Sequence, residues 1–170
     1  YDFRWTNDIY RLFLKDGEPT VSSLFIGSGR IAQSSKVKVG DYYRLYCAMW
    51  TRDQGNRVIY SDDFGASWHI LGTVDDRPAP YGDEPKCEEL PDGSVLLSSR
   101  KGYGRYFNVF RYTDVKEATG TWQNAVATDQ VGDLKWGGNS TNGEPLRIGN
   151  VLFQSAPTGN GRTDVSVFYK

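Results

Sequence analysis

Glu84 and Arg100 bracket the stretch of this chain best suited to chemistry. Lys86 to Leu90 and Ser94 to Ser99 read as two strands joined by the turn Pro91-Asp92-Gly93. A turn midway between them returns Glu84 and Arg100 to one end of the sheet, side by side. A carboxylate beside a guanidinium on a loop rim is a candidate polar site, because rigid strands usually present chemistry on their loops. A surface salt bridge is the other reading of the same two residues. Histidine chemistry is excluded as a route: His69 is the sole histidine, so neither a histidine-based zinc site nor a Ser-His-Asp triad can be built. His69 follows Trp68 and reads as a strand residue rather than an acid or base.

The elements that must carry this pair follow from composition. The chain has 170 residues, 38% hydrophobic and 14% aromatic, enough for one domain with a real core. Its net charge is −1, from 20 basic and 21 acidic residues without a run of like charge, which favours neither nucleic acid nor an anionic membrane. A small or neutral-surfaced partner fits better. No apolar run approaches the ~20 residues of a membrane-spanning helix, so a soluble chain without a membrane span is expected. The start, Tyr1-Asp2-Phe3-Arg4-Trp5, has neither a basic leader nor an initiator Met, and the chain is expected to be a piece of something longer. Cys47 and Cys87 lie in strand-like runs and read as buried thiols. No ligand cluster is visible, so no metal and no organic cofactor are implied.

Nineteen glycines, seven prolines and short runs of Val, Ile, Tyr and Phe point to an all-β protein with tight turns. Asp8 to Leu14 reads as a strand or a short helical turn, and Val21 to Ile26 and Arg30 to Val39 as strands. From Gly40 an internal repeat appears. Gly40 to Cys47 leads through a polar loop to Asn56 to Tyr60; Gly93 to Ser99 leads to Asn108 to Tyr112; Gly149 to Ser155 leads to Asp164 to Tyr169. The Gly-to-Tyr distances are 20, 19 and 20 residues and the Gly-to-Gly steps 53 and 56. Strand pairs repeating at this period are the signature of β-propeller blades, each of which must stack on neighbours to bury its faces. A sandwich with coincidental spacing is the alternative. Three repeats fit in the chain, fewer than the ~4–8 blades of a closed propeller, so an open arc is expected.

After the first repeat comes Ser61-Asp62-Asp63-Phe64-Gly65-Ala66-Ser67-Trp68, which fits S-x-D-x-G-x-[ST]-W, the Asp box, at every fixed position. A degenerate, expanded copy follows the second repeat as Thr113-Asp114 and Gly120-Thr121-Trp122. The box is structural: Asp63 can cap turn N–H groups, Gly65 takes the φ > 0 position, and Trp68 packs beneath. Asp63 is therefore not a catalytic candidate.

With this box, the repeat and E-P-K-x-x-E-L-x-D-G-x-x-L-x-x-S-R from Glu84 to Arg100, the sequence resembles the bacterial exo-α-sialidases, the neuraminidase group of glycoside hydrolases. The likeness runs over nearly the whole chain and is densest from Tyr42 to Arg105 and from Gln154 to Lys170. It implies that residues 1–170 are part of a catalytic six-bladed β-propeller, about three four-stranded blades of it. It implies release of terminal sialic acid from a sialylated glycan with retention, by a tyrosine nucleophile paired with a glutamate, an aspartate acid/base and three arginines on the sugar carboxylate. On the matching positions Glu84 is the glutamate, Arg100 the second arginine and Arg162 the third. Guanidinium forks suit a carboxylate, and a phenol of pKa about 10 needs a base to attack at neutral pH. A tyrosine also avoids presenting a carboxylate to an anionic sugar. The first arginine, the aspartate and the tyrosine have no assignable residue here; Tyr169 closes a repeat and reads as framework. Asn139, Asn142 and Glu144 are candidate rim residues, with solvated loop positions as the other reading. The resemblance further implies a secreted or periplasmic location, and as partners the remaining blades of a longer chain or self-association. A non-catalytic carbohydrate-binding propeller and a pure scaffold are the competing functions.

Overall fold

A computed structural model describes residues 9–26, 29–52, 55–130, 141–159 and 161–170. The chain is all-β, preceded by a 3-10 turn, Ile9–Phe13. The segment read as strand or short helix is thus mostly helical turn, followed by a two-residue strand β1 (Leu14–Lys15) paired with β2 (Glu18–Pro19). Asp8 lies outside the described residues.

The first sheet contains β3 (Leu24–Ile26), β4 (Ala32–Val39), β5 (Tyr42–Thr51), β6 (Arg57–Ser61) and β7 (His69–Ile70). Both β3 and β4 pair with β5, followed outward by β6 and β7. The strands expected over Val21 to Ile26 and Arg30 to Val39 are correct in place and shorter in extent. The second sheet is β8 (Asp83–Glu89), β9 (Val95–Arg100), β10 (Arg105–Asp114) and β11 (Thr119–Trp122), with β12 (Val126–Ala127) also on β10. The third is β13 (Pro145–Ile148), β14 (Val151–Pro157) and β15 (Val165–Tyr169). The described sheets thus hold five, five and three strands rather than four each. Short β3 and β12 each take an edge of an unusually long strand, β5 or β10, which has room for two neighbours.

Within each sheet strands run antiparallel between sequence neighbours, the pattern of propeller blades. The repeat seen in the sequence has a backbone cause. Gly40, Gly93 and Gly149 each open a hairpin at positive φ, 59°, 84° and 60°, where a side chain would be strained. The three sheets form an arc that does not close.

The faces between sheets decide how the arc holds. Tyr46, Ala48, Val58 and Leu71 of the first sheet meet Cys87, Val95, Leu97 and Phe110 of the second, all buried. Removing each such side chain from water contributes roughly 1.5–3 kcal/mol for the larger ones. Both cysteines are buried free thiols, and burial pushes the Cys47 thiol up to about 11. Behind the first sheet, Phe13 and Val21 cover Cys47, Met49 and Ile59. The far face of the third sheet is apolar and uncovered: Val165, Val167 and Tyr169 are 75%, 64% and 79% exposed, on one side of β15.

The turn after β6 is a closed hydrogen-bonded unit. Asp63 Oδ1 accepts from Ser67 N and from Ser61 Oγ, both at 2.8 Å, and Oδ2 accepts from Ser67 Oγ at 2.7 Å. Gly65, at φ 89°, donates its N–H to Ser61 Oγ. Trp68 packs against the core behind the first sheet.

Candidate functional site

The open end of the β8–β9 hairpin is clamped to the first sheet through Gly82 and Asn56. A Cβ on Gly82 would stand 2.7 Å from Ser99 Cβ and 2.8 Å from Asn56 Nδ2, so only glycine permits this approach. Asn56 is fully buried and donates from Nδ2 to Ser99 Oγ at 2.9 Å. The loop rim that presents the candidate pair is therefore fixed from below.

Glu84 lies inside β8, not before it as the sequence suggests, and Arg100 is the last residue of β9. Asp83 pairs with Arg100, and the register shifts between Asp83 and Lys86, which places Glu84 on a β-bulge with φ 35°. Bulges re-aim a side chain next to active sites, and a non-glycine residue at positive φ is a strained conformation that the surroundings must hold. Two contacts hold it: Glu84 N donates to Asp83 Oδ1 at 2.7 Å, and Glu84 O receives Arg105 Nη2 at 3.5 Å.

Glu84 Oε2 stands 3.1 Å from Arg100 Nη1, with Asp83 Oδ2 at 3.9 Å from the same nitrogen. Both partners of the closer pair keep 27% of their side-chain surface exposed. The pairing is an ion contact without hydrogen-bond alignment, and Oε2, shielded from solvent, accepts no hydrogen bond among the described residues. A carboxylate oxygen in that condition has room for a donor.

Arg105, which the sequence reading left unassigned, lies beneath the pair with no exposure. Its guanidinium donates to Ser98 Oγ at 2.6 Å, Ser98 O at 3.2 Å and Thr141 O at 2.9 Å. Burial pushes its pKa down to about 10, against the pull of Glu84 and Glu144. Ser98 Oγ in turn donates to Gln154 Oε1 at 2.9 Å, so one chain of bonds runs from the second sheet to the third.

Glu144 is half-buried, 3.2 Å from Arg30 Nη1 and 3.9 Å from Lys86 Nζ. Burial lowers the pKa of Lys86, and Glu144 opposes the change. Asn142 is exposed, and Asn139 lies outside the described residues. Arg162 is exposed at φ 66° in the β14–β15 turn, closed by Thr158 N to Asp164 O at 3.1 Å and Gly159 N to Thr163 O at 3.0 Å. That turn corresponds to the β9–β10 turn that begins at Arg100. Among the described residues Glu84 and Arg100 are brought together, and Arg162 makes no contact with them.

Below the rim, Glu89 is fully buried and takes Ser35 N at 2.8 Å, Ser35 Oγ at 2.9 Å and Arg147 Nη2 at 3.1 Å, with Ser34 Oγ on its other oxygen. Glu88 pairs with Arg30 and receives Arg147 N. Glu89 stood in the Glu84-to-Arg100 motif without a role; in a strand that also carries Asp83, Glu84, Lys86 and Glu88, its charge gave no signal of burial. No group of three or more His, Cys, Asp or Glu among the described residues is arranged to hold a metal. No described helix is long and apolar enough to cross a membrane.

The antiparallel sheets define an all-β fold of propeller-like blades. The chain is similar in structure to the intramolecular trans-sialidase from Ruminococcus gnavus solved in complex with oseltamivir carboxylate, at 23% identity and a TM-score of 0.58. The match covers 91% of this chain and 31% of that one, so this chain spans less than a third of its neighbour's length. Likeness at that identity carries the fold alone. No protein-family model matches the chain, and no curated protein matches it in sequence.

Proposed function

We propose that this chain supplies part of the active site of an exo-α-sialidase, which releases terminal sialic acid from glycoconjugates with retention. The observation that carries the proposal is the shielded, unsatisfied Glu84 Oε2 held at a strained bulge 3.1 Å from Arg100. In this reading Glu84 takes the proton of a tyrosine nucleophile that another part of a longer protein contributes. Arg100, and Arg162 on the corresponding turn of the next sheet, then receive the sugar carboxylate. Glu144 and Asn142 border that end, and partner blades or a second copy complete the ring. A secreted or periplasmic location follows from the substrate class.

A carbohydrate-binding propeller without chemistry is the second reading, and the 3.1 Å ion contact favours it to the extent that Glu84 serves to orient Arg100 rather than to take a proton. Two measurements test the pair of readings. Titration of this chain with N-acetylneuraminic acid is expected to bind, with Arg100→Ala and Arg162→Ala each weakening affinity about tenfold or more. Unchanged affinity in both variants would leave only a scaffold. Hydrolysis of a fluorogenic α-sialoside by the full-length protein is expected to be lost in Glu84→Gln; normal turnover sinks the enzyme assignment.

A further inference from the structure

At the opposite end of the β8–β9 hairpin, some 20 Å from Glu84 along the strand rise, a second concavity opens between the first two sheets. It encloses about 260 Å³ and is lined by Lys36, Val37, Asp92, Gly93, Ser94, Arg111, Tyr112 and Val115. Drug-sized ligands occupy roughly 300–1,000 Å³, so this volume suits a single ring.

The walls are built rather than incidental. Lys36 projects from a bulge in β4, where the register shifts between Gln33 and Lys38 and Ser34 Oγ takes the N–H groups of Lys36 and Val37 at 3.0 Å and 2.6 Å. Gly93, without a side chain, leaves Lys36 Cβ 3.9 Å from where its own Cβ would be. Val115 is pinned from behind: its carbonyl accepts Arg44 Nη1 at 2.8 Å, from a fully buried guanidinium gripped by both oxygens of Asp62 at 2.7 Å. Tyr112 is held by the 2.8 Å contact of its hydroxyl with Tyr46.

The charges do not balance. Asp92 is occupied by Arg111 Nη1 and by Ser94, whose N–H it accepts at 3.0 Å. Arg111 contacts Asp92 through Nη1 alone, which leaves Nη2 and Nε to donate elsewhere. The Lys36 ammonium has no carboxylate partner among the described residues. Two cations against one committed acid leave a surplus of one positive charge, facing Val37, Val115 and the Tyr112 ring. From this arrangement we infer a second ligand site, for a monoanionic ring-sized carboxylate such as a sugar acid. The carboxylate sits between Lys36 and the free edge of Arg111, and the apolar face of the ring lies on Val37, Val115 and Tyr112. Because Lys36 and Val37 belong to the first sheet and the other residues to the second, occupancy ties the two sheets together.

The test is an amide-resolved NMR titration of this chain with D-glucuronate, with D-galactose and inorganic phosphate run alongside. Expected are saturable shifts at Val37, Gly93 and Ser94, with a dissociation constant on the order of 1 mM for so small a ligand. Lys36→Gln and Arg111→Gln, both at exposed positions, weaken glucuronate about tenfold or more; phosphate and galactose bind at least about tenfold more weakly. The inference is overturned by an absence of shifts at these amides, by equal affinity for galactose or phosphate, or by an unchanged titration in Lys36→Gln. Sialoside behaviour at the Glu84 end is unaffected by Lys36→Gln, so the two sites fail or succeed separately.

Discussion

Arg105 Nη1 reaches Thr141 O at 2.9 Å while its Nη2 lies 3.5 Å from Glu84 O, so one buried guanidinium spans the strained bulge of the second sheet and the segment entering the third. Burying an arginine without a carboxylate partner is expensive. Here the guanidinium donates to the Ser98 hydroxyl and to the carbonyls of Ser98, Thr141 and Glu84, and its charge lies under Glu84 and Arg100.

Removing that guanidinium leaves the carbonyls of Ser98, Glu84 and Thr141 without their donor. Arg105→Met is expected to destabilise the chain by about 2–4 kcal/mol, from several lost hydrogen bonds to a charged donor. Urea denaturation measures this, and Arg105→Lys is expected to recover only part, since a single ammonium cannot replace a planar fork. A loss below about 0.5 kcal/mol in Arg105→Met contradicts the structural role.

Gly82 is a position where one methyl group is decisive. Gly82→Ala forces the new Cβ against Ser99 and Asn56, 2.7 Å and 2.8 Å away. The expected cost is about 1–3 kcal/mol, as for other overpacked sites. Hydrogen exchange at Asp83 and Glu84 is expected to quicken in the variant, because Asn56 can no longer hold Ser99. A wild-type exchange pattern refutes the clamp.

Acid should weaken the turn at Asp63. Burial pushes its carboxyl up, but the hydrogen bonds from Ser67 N, Ser67 Oγ and Ser61 Oγ outweigh that and hold it below the usual carboxylate range. A depressed carboxylate contributes stability that is complete above its unfolded pKa, about 3.9, and is lost as pH falls through the lower folded value. The wild-type denaturation midpoint is therefore expected to fall below about pH 4. Asp63→Asn begins less stable at neutral pH and falls less steeply over the same window; parallel curves would show that Asp63 contributes nothing to the acid transition.

What could be read directly from the chain was local. Pro91-Asp92-Gly93 set the β8–β9 hairpin, and the glycines at 40, 93 and 149 marked the repeat, because turn conformation depends on a few adjacent residues. From the hairpin alone Glu84 and Arg100 were bound to meet. The seven-residue unit from Ser61 to Ser67 likewise closes on itself, so its hydrogen bonds were implicit in residue type and spacing.

Tertiary structure decided where charge is buried. Glu89 and Arg147 are 58 positions apart and Arg105 and Thr141 are 36 apart, and no strand pattern distinguishes those side chains from solvated ones until neighbouring sheets stack. The bulge that sets Glu84 at φ 35° depends on the same stacking, since contacts with Arg105 offset its strain. Arg162 is exposed on its own turn at φ 66°, where a loop side chain goes as its backbone turn sends it, and only the resemblance sets it beside Arg100. Sequence determined the strands and their turns through short-range conformational preference. Only packing between sheets, which matches charges and volumes across dozens of residues, determined the floor of the candidate site.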